Sequence, residues 1–206
     1  MSFSARIAHS AIAEIVYETR DAIWNRLVKR HVPFVTENTL QETADEFEKQ
    51  WNFLNCVGAI DGQHAGIRCP QSFSFQFYNY NSYFSDNLQA AVDAKYQFMT
   101  VDIGAYGRQS YSGVFTESIV SRHLEAGSLN LPPPRQIPRT NITLPYMSLG
   151  DQGYPLKEYL RPYPTNNCRV SRQKEIFNYR LSTARRTTEC AFGVLVVKLG
   201  CLNAEL

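Results

Sequence analysis

No uninterrupted apolar run approaches the ~18 residues that a membrane-crossing helix needs, and the opening Met1 to Ile7 lacks the apolar stretch of a secretory signal. Paired cysteines are missing as well. Cys56, Cys69, Cys168, Cys190 and Cys201 form no CxxC motif. Their odd count and wide spacing exclude a disulfide framework and read as free thiols in a reducing compartment, nucleus or cytoplasm. A zinc centre made from them with His64 lacks the usual ligand spacing. There is no internal repeat or low-complexity segment, and no dense Lys/Arg cluster of the kind that signals nuclear import.

What is present suits one globular domain with a small appendage. The chain has 206 residues, 44% of them hydrophobic and 19% charged, enough to bury a core. Its net charge of +2 hides an uneven distribution. Residues 1–134 hold 10 Lys/Arg against 14 Asp/Glu, and residues 135–206 hold 11 against 5. The basic residues are densest from Arg169 to Arg186, where Arg169, Arg172, Lys174, Arg180, Arg185 and Arg186 face Glu175 alone. Such a stretch suits a phosphate backbone or a solvated helix face, and charge alone does not separate the two.

Periodicity divides the chain. Residues 1–50 read as a helical segment, the end of a larger helical unit. Ile7, Ala11, Ile15, Ala22, Ile23 and Leu27 recur at helical spacing with Trp24 on the same face. A break at Val32-Pro33-Phe34 precedes a second helix from Thr36 or Asn38, with Leu40, Ala44, Phe47 and Trp51 on one side. Residues 51–206 alternate strands and helices. Cys56 to Ile60 reads as a buried strand delivering Asp61 at its end. Asn87–Asp93 and Phe98–Gly104 read as a hairpin. A helix follows from about Gly113 to Leu124, then a Pro-rich loop over 131–140 and a strand over 144–149 ending at Asp151. A short helix, a loop and a long helix over 174–199 close the chain, with Phe177, Leu181, Ala184, Phe192, Leu195 and Leu199 on one face. The order is α/β, that of a ribonuclease-H-like mixed sheet with flanking helices.

Three acids stand out within this order: Asp61 in Val57-Gly58-Ala59-Ile60-Asp61-Gly62, Asp151 in Ser148-Leu149-Gly150-Asp151-Gln152-Gly153-Tyr154, and Glu189 in Arg185-Arg186-Thr187-Thr188-Glu189-Cys190. Carboxylates brought from two strand ends and a helix make a hard-oxygen site for Mg²⁺ or Mn²⁺. Two such ions can clamp the attacking and leaving oxygens of a phosphodiester. Each acid also has an ordinary reading: Asp61 and Asp151 as turn residues before glycine, Glu189 as a surface acid paired with Arg185 four positions earlier. His64 could touch a phosphate or simply fill a turn. Arg185 and Arg186, one turn before Glu189, could hold DNA phosphate. Asp93 and Asp102 read as strand or turn acids, and the aromatic run Phe73 to Phe84 as loop packing or a surface on which unpaired bases stack.

These frames resemble the PIF/Harbinger transposases and their domesticated nucleases. The blocks that carry the resemblance run in family order over roughly residues 50–197: Phe53 to Gly62 with His64, Phe77-Tyr78-Asn79-Tyr80, Leu88-Gln89-Ala90, Val101 to Arg108, Gly150 to Leu156, and Phe177 to Arg186 continuing to Gly193. The resemblance implies that Asp61, Asp151 and Glu189 are a catalytic and metal-binding Asp-Asp-Glu triad, the last two 38 positions apart. It implies a metal-dependent endonuclease acting on double-stranded DNA with two divalent ions, a nuclear location, and a Myb-like DNA-binding protein as partner. The chain departs from the family at Tyr111, where an acid is usual, at Gln63, where Lys or Thr is common, and at Asn81, where Lys is common. These departures leave open an alternative: a catalytically impaired descendant that binds DNA or a Myb-like protein without cutting.

Overall fold

The structure is a computed structural model that describes residues 8–69, 74–127, 129, 131–162 and 172–200. Ile7, Phe73, Cys168, Arg169 and Cys201 of the sequence reading lie outside them. Two compact units divide at Phe34/Val35.

The first unit contains α1 (His9–His31), in which no residue is buried. Ile15, Val16, Tyr17, Ile23, Trp24 and Leu27 are all exposed. The apolar spacing read from the sequence therefore marks a helix but not a buried face. Basic Lys29, Arg30 and His31 in its last turn complement the helix dipole.

The second unit begins with α2 (Glu37–Trp51). Thr36 and Thr39 cap its start reciprocally: the Thr36 hydroxyl accepts from the Thr39 amide, and the Thr39 hydroxyl accepts from the Thr36 amide at 2.8 Å. Asn52 ends it in the left-handed region at φ 53°, a conformation Asn tolerates better than most residues. The sequence reading groups this helix with the N-terminal segment. Its buried Leu40, Thr43, Ala44 and Phe47 instead pack onto the sheet of the second unit, Leu40 and Ala44 against Val57, and Phe47 against Cys56 and Ala59.

Five strands make that sheet: β1 (Cys56–Gly66), β2 (Ser85–Val92), β3 (Phe98–Tyr106), and, further along the chain, Met147–Gly150 and Leu160–Pro162. A four-residue helix, α3 (Ser74–Phe77), precedes β2. β1, β2 and β3 are antiparallel neighbours, with Asp93 turning the hairpin: its carboxylate accepts from the Lys95 and Gln97 amides, both at 2.8 Å. β1 does not stop at Ile60. Its pairing with β2 runs on from Ala59↔Val92 to Gly66↔Ser85, so Asp61 lies inside the strand rather than at its end.

After β3 the expected single helix is two, α4 (Tyr111–Glu117) and α5 (Ile119–Glu125), divided by Ser118 in an extended conformation. The Ser118 hydroxyl donates to the Phe115 carbonyl at 2.7 Å and accepts from the Ser121 amide at 3.1 Å, ending one helix and capping the next. The Pro-rich loop holds β4 (Arg135–Gln136), which pairs with β5 (Thr143–Leu144). Arg135 anchors this ribbon on α2 through Asp45 and Glu48, and donates to Asn55 at 3.1 Å.

The expected strand over 144–149 is thus divided between β5 and β6 (Met147–Gly150). The short helix expected next is absent over 152–162. In its place β7 (Leu160–Pro162) pairs parallel to β6. The sheet order β3-β2-β1-β6-β7, with β6 parallel to β1, is that of a ribonuclease-H-like fold. α6 (Arg172–Leu199) covers one face. Its Leu181 and Ala184 pack with Ala59, Leu149 and Phe47, and its Phe192 packs with Leu88 and Ala90. Phe177 and Leu199, expected on that face, are about half exposed, while Thr187, Thr188 and Ala191 are buried. The opposite face carries Ile60, Phe115, Leu124, Tyr154 and Leu160. Among the described residues no helix is long and apolar enough to cross a membrane.

Candidate active site

Alternation along β1 sorts its residues between the two faces. Ala59 packs toward α6 and Ile60 toward α4 and α5. Asp61 therefore follows Ala59 to the α6 side, and Gly62 and His64 follow Ile60 to the other. The parallel register places Ala59 beside Leu149. Carried two residues further, it sets Asp61 beside Asp151, one residue beyond the end of β6. Glu189 sits on α6 between Ala184 and Phe192, two of the residues that pack this helix on the sheet.

The Asp61 carboxylate accepts from the Gly62 amide at 2.8 Å and from Arg185 Nη1 at 3.2 Å. The other terminal nitrogen of Arg185, Nη2, donates to Glu189. Both the surface pairing of Glu189 with Arg185 and a link to the strand are thus present, through one guanidinium. Arg185 and Asp61 are largely enclosed, with side chains 18% and 14% exposed, whereas Glu189 is 46% exposed. Asp151 closes a tight turn by accepting from the Gly153 amide at 2.8 Å.

Burial pushes the Asp61 carboxyl up to about 6 from 3.8. The Gly62 amide and Arg185 pull it down, and the negative charges of Asp151 and Glu189 push it up. Desolvation wins even against an ion pair, as it often does for partly buried charges. Among the described residues no three His, Cys, Asp or Glu side chains converge as a formed metal centre. The chemistry of the donors nonetheless fits a hard cation. Asp61 feels the negative charges of both Asp151 and Glu189, and the Arg185 guanidinium contacts two of the three carboxylates.

Tyrosines wall the α4 side. The Tyr111 ring packs directly against Gly62, so that a Cβ there would stand 2.3 Å from a ring carbon. Tyr154 packs against Gly150, and its hydroxyl accepts from Gln89 Nε2 at 2.9 Å; the same nitrogen donates to the Tyr111 carbonyl. Burial above all, with the Asp61 charge adding to it, keeps both phenols protonated well above their ordinary range. Tyr154 and Gln89 are not singled out by any motif, although both belong to quoted blocks, Gly150 to Leu156 and Leu88-Gln89-Ala90.

His64 is only 4% exposed, among the rings of Tyr80, Tyr83 and Tyr111. Asn79 Nδ2 donates to the Ser85 hydroxyl at 2.8 Å, and that hydroxyl lies 3.0 Å from His64 Nδ1. Burial holds its imidazole below the ordinary range, in the neutral form. Its Nε2 is buried without a hydrogen-bond partner among the described residues. Arg186 is exposed on α6, while Asp93 occupies its turn and Asp102 is exposed on β3. Cys56 is buried and Cys69 and Cys190 are exposed.

A five-stranded sheet of this order, with β6 parallel to β1 and α6 across one face, defines a ribonuclease-H-like fold of the nuclease type. The family model for DDE superfamily endonucleases matches residues 60–206, and the chain belongs to that family. No curated protein and no solved structure matches it.

Proposed function

We propose that this chain is a metal-dependent DNA endonuclease of PIF/Harbinger type, with Asp61, Asp151 and Glu189 as its catalytic, metal-holding triad. The observation that supports the reading is the parallel β1–β6 register, which pairs Ala59 and Leu149 two residues before Asp61 and Asp151, together with the contacts of Arg185 to Asp61 and Glu189. Asp61 and Asp151 would hold Mg²⁺ or Mn²⁺ from adjacent strands, and Glu189 would complete a second position from α6. When bound, two such ions supply an acidified nucleophile and neutralise charge on the leaving 3′-oxygen.

The remaining work falls to the chain's own groups. Asp61, held by the Gly62 amide, is fixed in direction before a cation arrives. Tyr111 and Tyr154 exclude water from one side. Arg186, and Arg185 once released from its carboxylates, are placed to meet the phosphates of double-stranded DNA, with Arg172, Lys174 and Arg180 extending the basic helix. His64 serves by holding Tyr111 in place rather than by touching phosphate. A Myb-like protein partner supplying target choice and a nuclear location belong to the same proposal.

A second reading has its own support. The Tyr111 ring, where the resembling proteins carry an acid, crowds Gly62 beside the triad. A chain so altered could bind DNA or a Myb-like protein without cutting. Nicking of supercoiled plasmid in Mg²⁺ or Mn²⁺, with a chelator control and an Asp151→Asn variant, separates the two. Metal-dependent nicking lost in the variant supports the nuclease; a folded protein that binds duplex DNA and never nicks it supports the second reading.

A further inference from the structure

The proposed metal-binding acids hold a resident cation in this structure, and it is part of the protein. Arg185 donates one terminal nitrogen to Asp61 and the other to Glu189, across 124 positions of sequence in the first case and 4 in the second. Its side chain is 18% exposed, so the contact with Asp61 is largely shielded from solvent and salt. Neighbours restrict the Asp61 end too: the Gly62 amide holds one carboxylate oxygen while Arg185 takes the other. Both oxygens are therefore engaged by hydrogen-bond donors before any ion arrives.

Resting on the nuclease reading, we infer that Arg185 is an exchangeable counter-cation. It occupies the Asp61–Glu189 pair in the metal-free protein, is displaced when a divalent ion is taken up, and is thereby freed to contact DNA phosphate. The guanidinium and the ion compete for the same carboxylate oxygens, so each weakens the other's hold by the same factor. The released side chain stays on α6 one turn before Glu189, next to exposed Arg186. Ion uptake and phosphate binding are then linked through a single side chain. An idle site holds its carboxylates neutralised, and a loaded site presents an extra cation to the substrate.

The test measures Mn²⁺ binding by calorimetry at pH 8 on the full chain, comparing the native protein, Arg185→Gln and Lys198→Gln. The last removes one positive charge from the same helix without touching the triad. The inference expects Arg185→Gln to bind Mn²⁺ on the order of tenfold more tightly, and Lys198→Gln to match the native protein within about twofold. Equal affinity in all three proteins, or the same gain in both variants, overturns the exchange while leaving the metal site standing. No Mn²⁺ binding in any of them overturns the metal site and the exchange together.

A measurement on the native chain guards against a misfolded variant. The Arg185 guanidinium signal in nitrogen-resolved NMR, assigned by its loss in Arg185→Lys, is expected to change from a held to a freely rotating group as Mg²⁺ saturates. A held signal that persists at saturating, bound Mg²⁺ contradicts the exchange.

Discussion

At the scale of single residues, Asp61 sets the electrostatics of the site. Its carboxyl stands at about 6 in the fold against 3.8 for an ordinary aspartate, because burial disfavours its charge. The folded protein therefore binds more protons than the unfolded chain between these values. Asp61 thus contributes stability that is fully present below about pH 4 and lost as the pH rises through about 6, worth about 2–3 kcal/mol. In chelator, Asp61→Asn is expected to gain stability over the native protein as the pH goes from 4 to 7, read from urea unfolding at several pH values. Parallel curves for the two proteins would contradict this. His64 works in the opposite direction, since its neutral form is favoured: its contribution is present above about pH 6.5 and is lost as pH falls below that toward its lowered folded value. It is common to both proteins and cancels from the difference. Gly62 offers a steric counterpart. Gly62→Ala drives a methyl into the Tyr111 ring and should cost about 1–3 kcal/mol, and the cost should shrink when Tyr111→Ala is added, so that the double variant departs clearly from additivity. The three acids stand out in the sequence as candidates because each carries a distinctive local frame. The Asp61–Arg185 bridge does not, since no local pattern links residues so far apart in the chain.

At the scale of elements, the fold turns on side chains that compete with regular structure. Thr36→Ala should remove half of the cap on α2 and cost about 1 kcal/mol, measured by chemical denaturation. Leu181→Ala empties a fully buried position between α6, Ala59 and Leu149, and should cost about 2–5 kcal/mol. An unfolding midpoint unchanged in Leu181→Ala would mean that α6 does not cover the sheet as described. Most elements could be read from periodicity and turn residues, including the β2–β3 hairpin and the long last helix. The misses have physical causes. Ser118 divides a continuous apolar pattern by offering the backbone an alternative partner. β1 outlasts its apolar run because β2 supplies pairing partners as far as Gly66. The buried stripe of α6 includes Thr187 and Thr188, which a count of apolar residues passes over. The spacing in α1 resembles a core face, yet every described residue of that helix stays unburied.

At the scale of the whole molecule, sheet order and chemistry agree. The order β3-β2-β1-β6-β7 follows from three antiparallel strands continued by two parallel ones, which sets the end of β6 beside the central strand β1. The fold class was readable from the strand–helix order, but not β7, which is only three residues long and ends in Pro162. A protein whose acids repel one another should be stabilised by the ion that relieves them. Mn²⁺ at a hundred times its dissociation constant should raise the unfolding free energy by ~2.7 kcal/mol, and Asp151→Asn should lose most of that gain. The measurement that tests the account most directly is the rate of supercoiled-plasmid nicking in Mn²⁺ by the native chain beside Asp61→Asn, Asp151→Asn and Glu189→Gln. Removing a group that merely orients a metal ligand costs about 10–100-fold, so losing any one of the three acids is expected to cost at least the upper end of that range, with the fold intact by circular dichroism. Nicking that survives undiminished in any of the three variants, or native protein that binds DNA and never nicks it, would contradict the account.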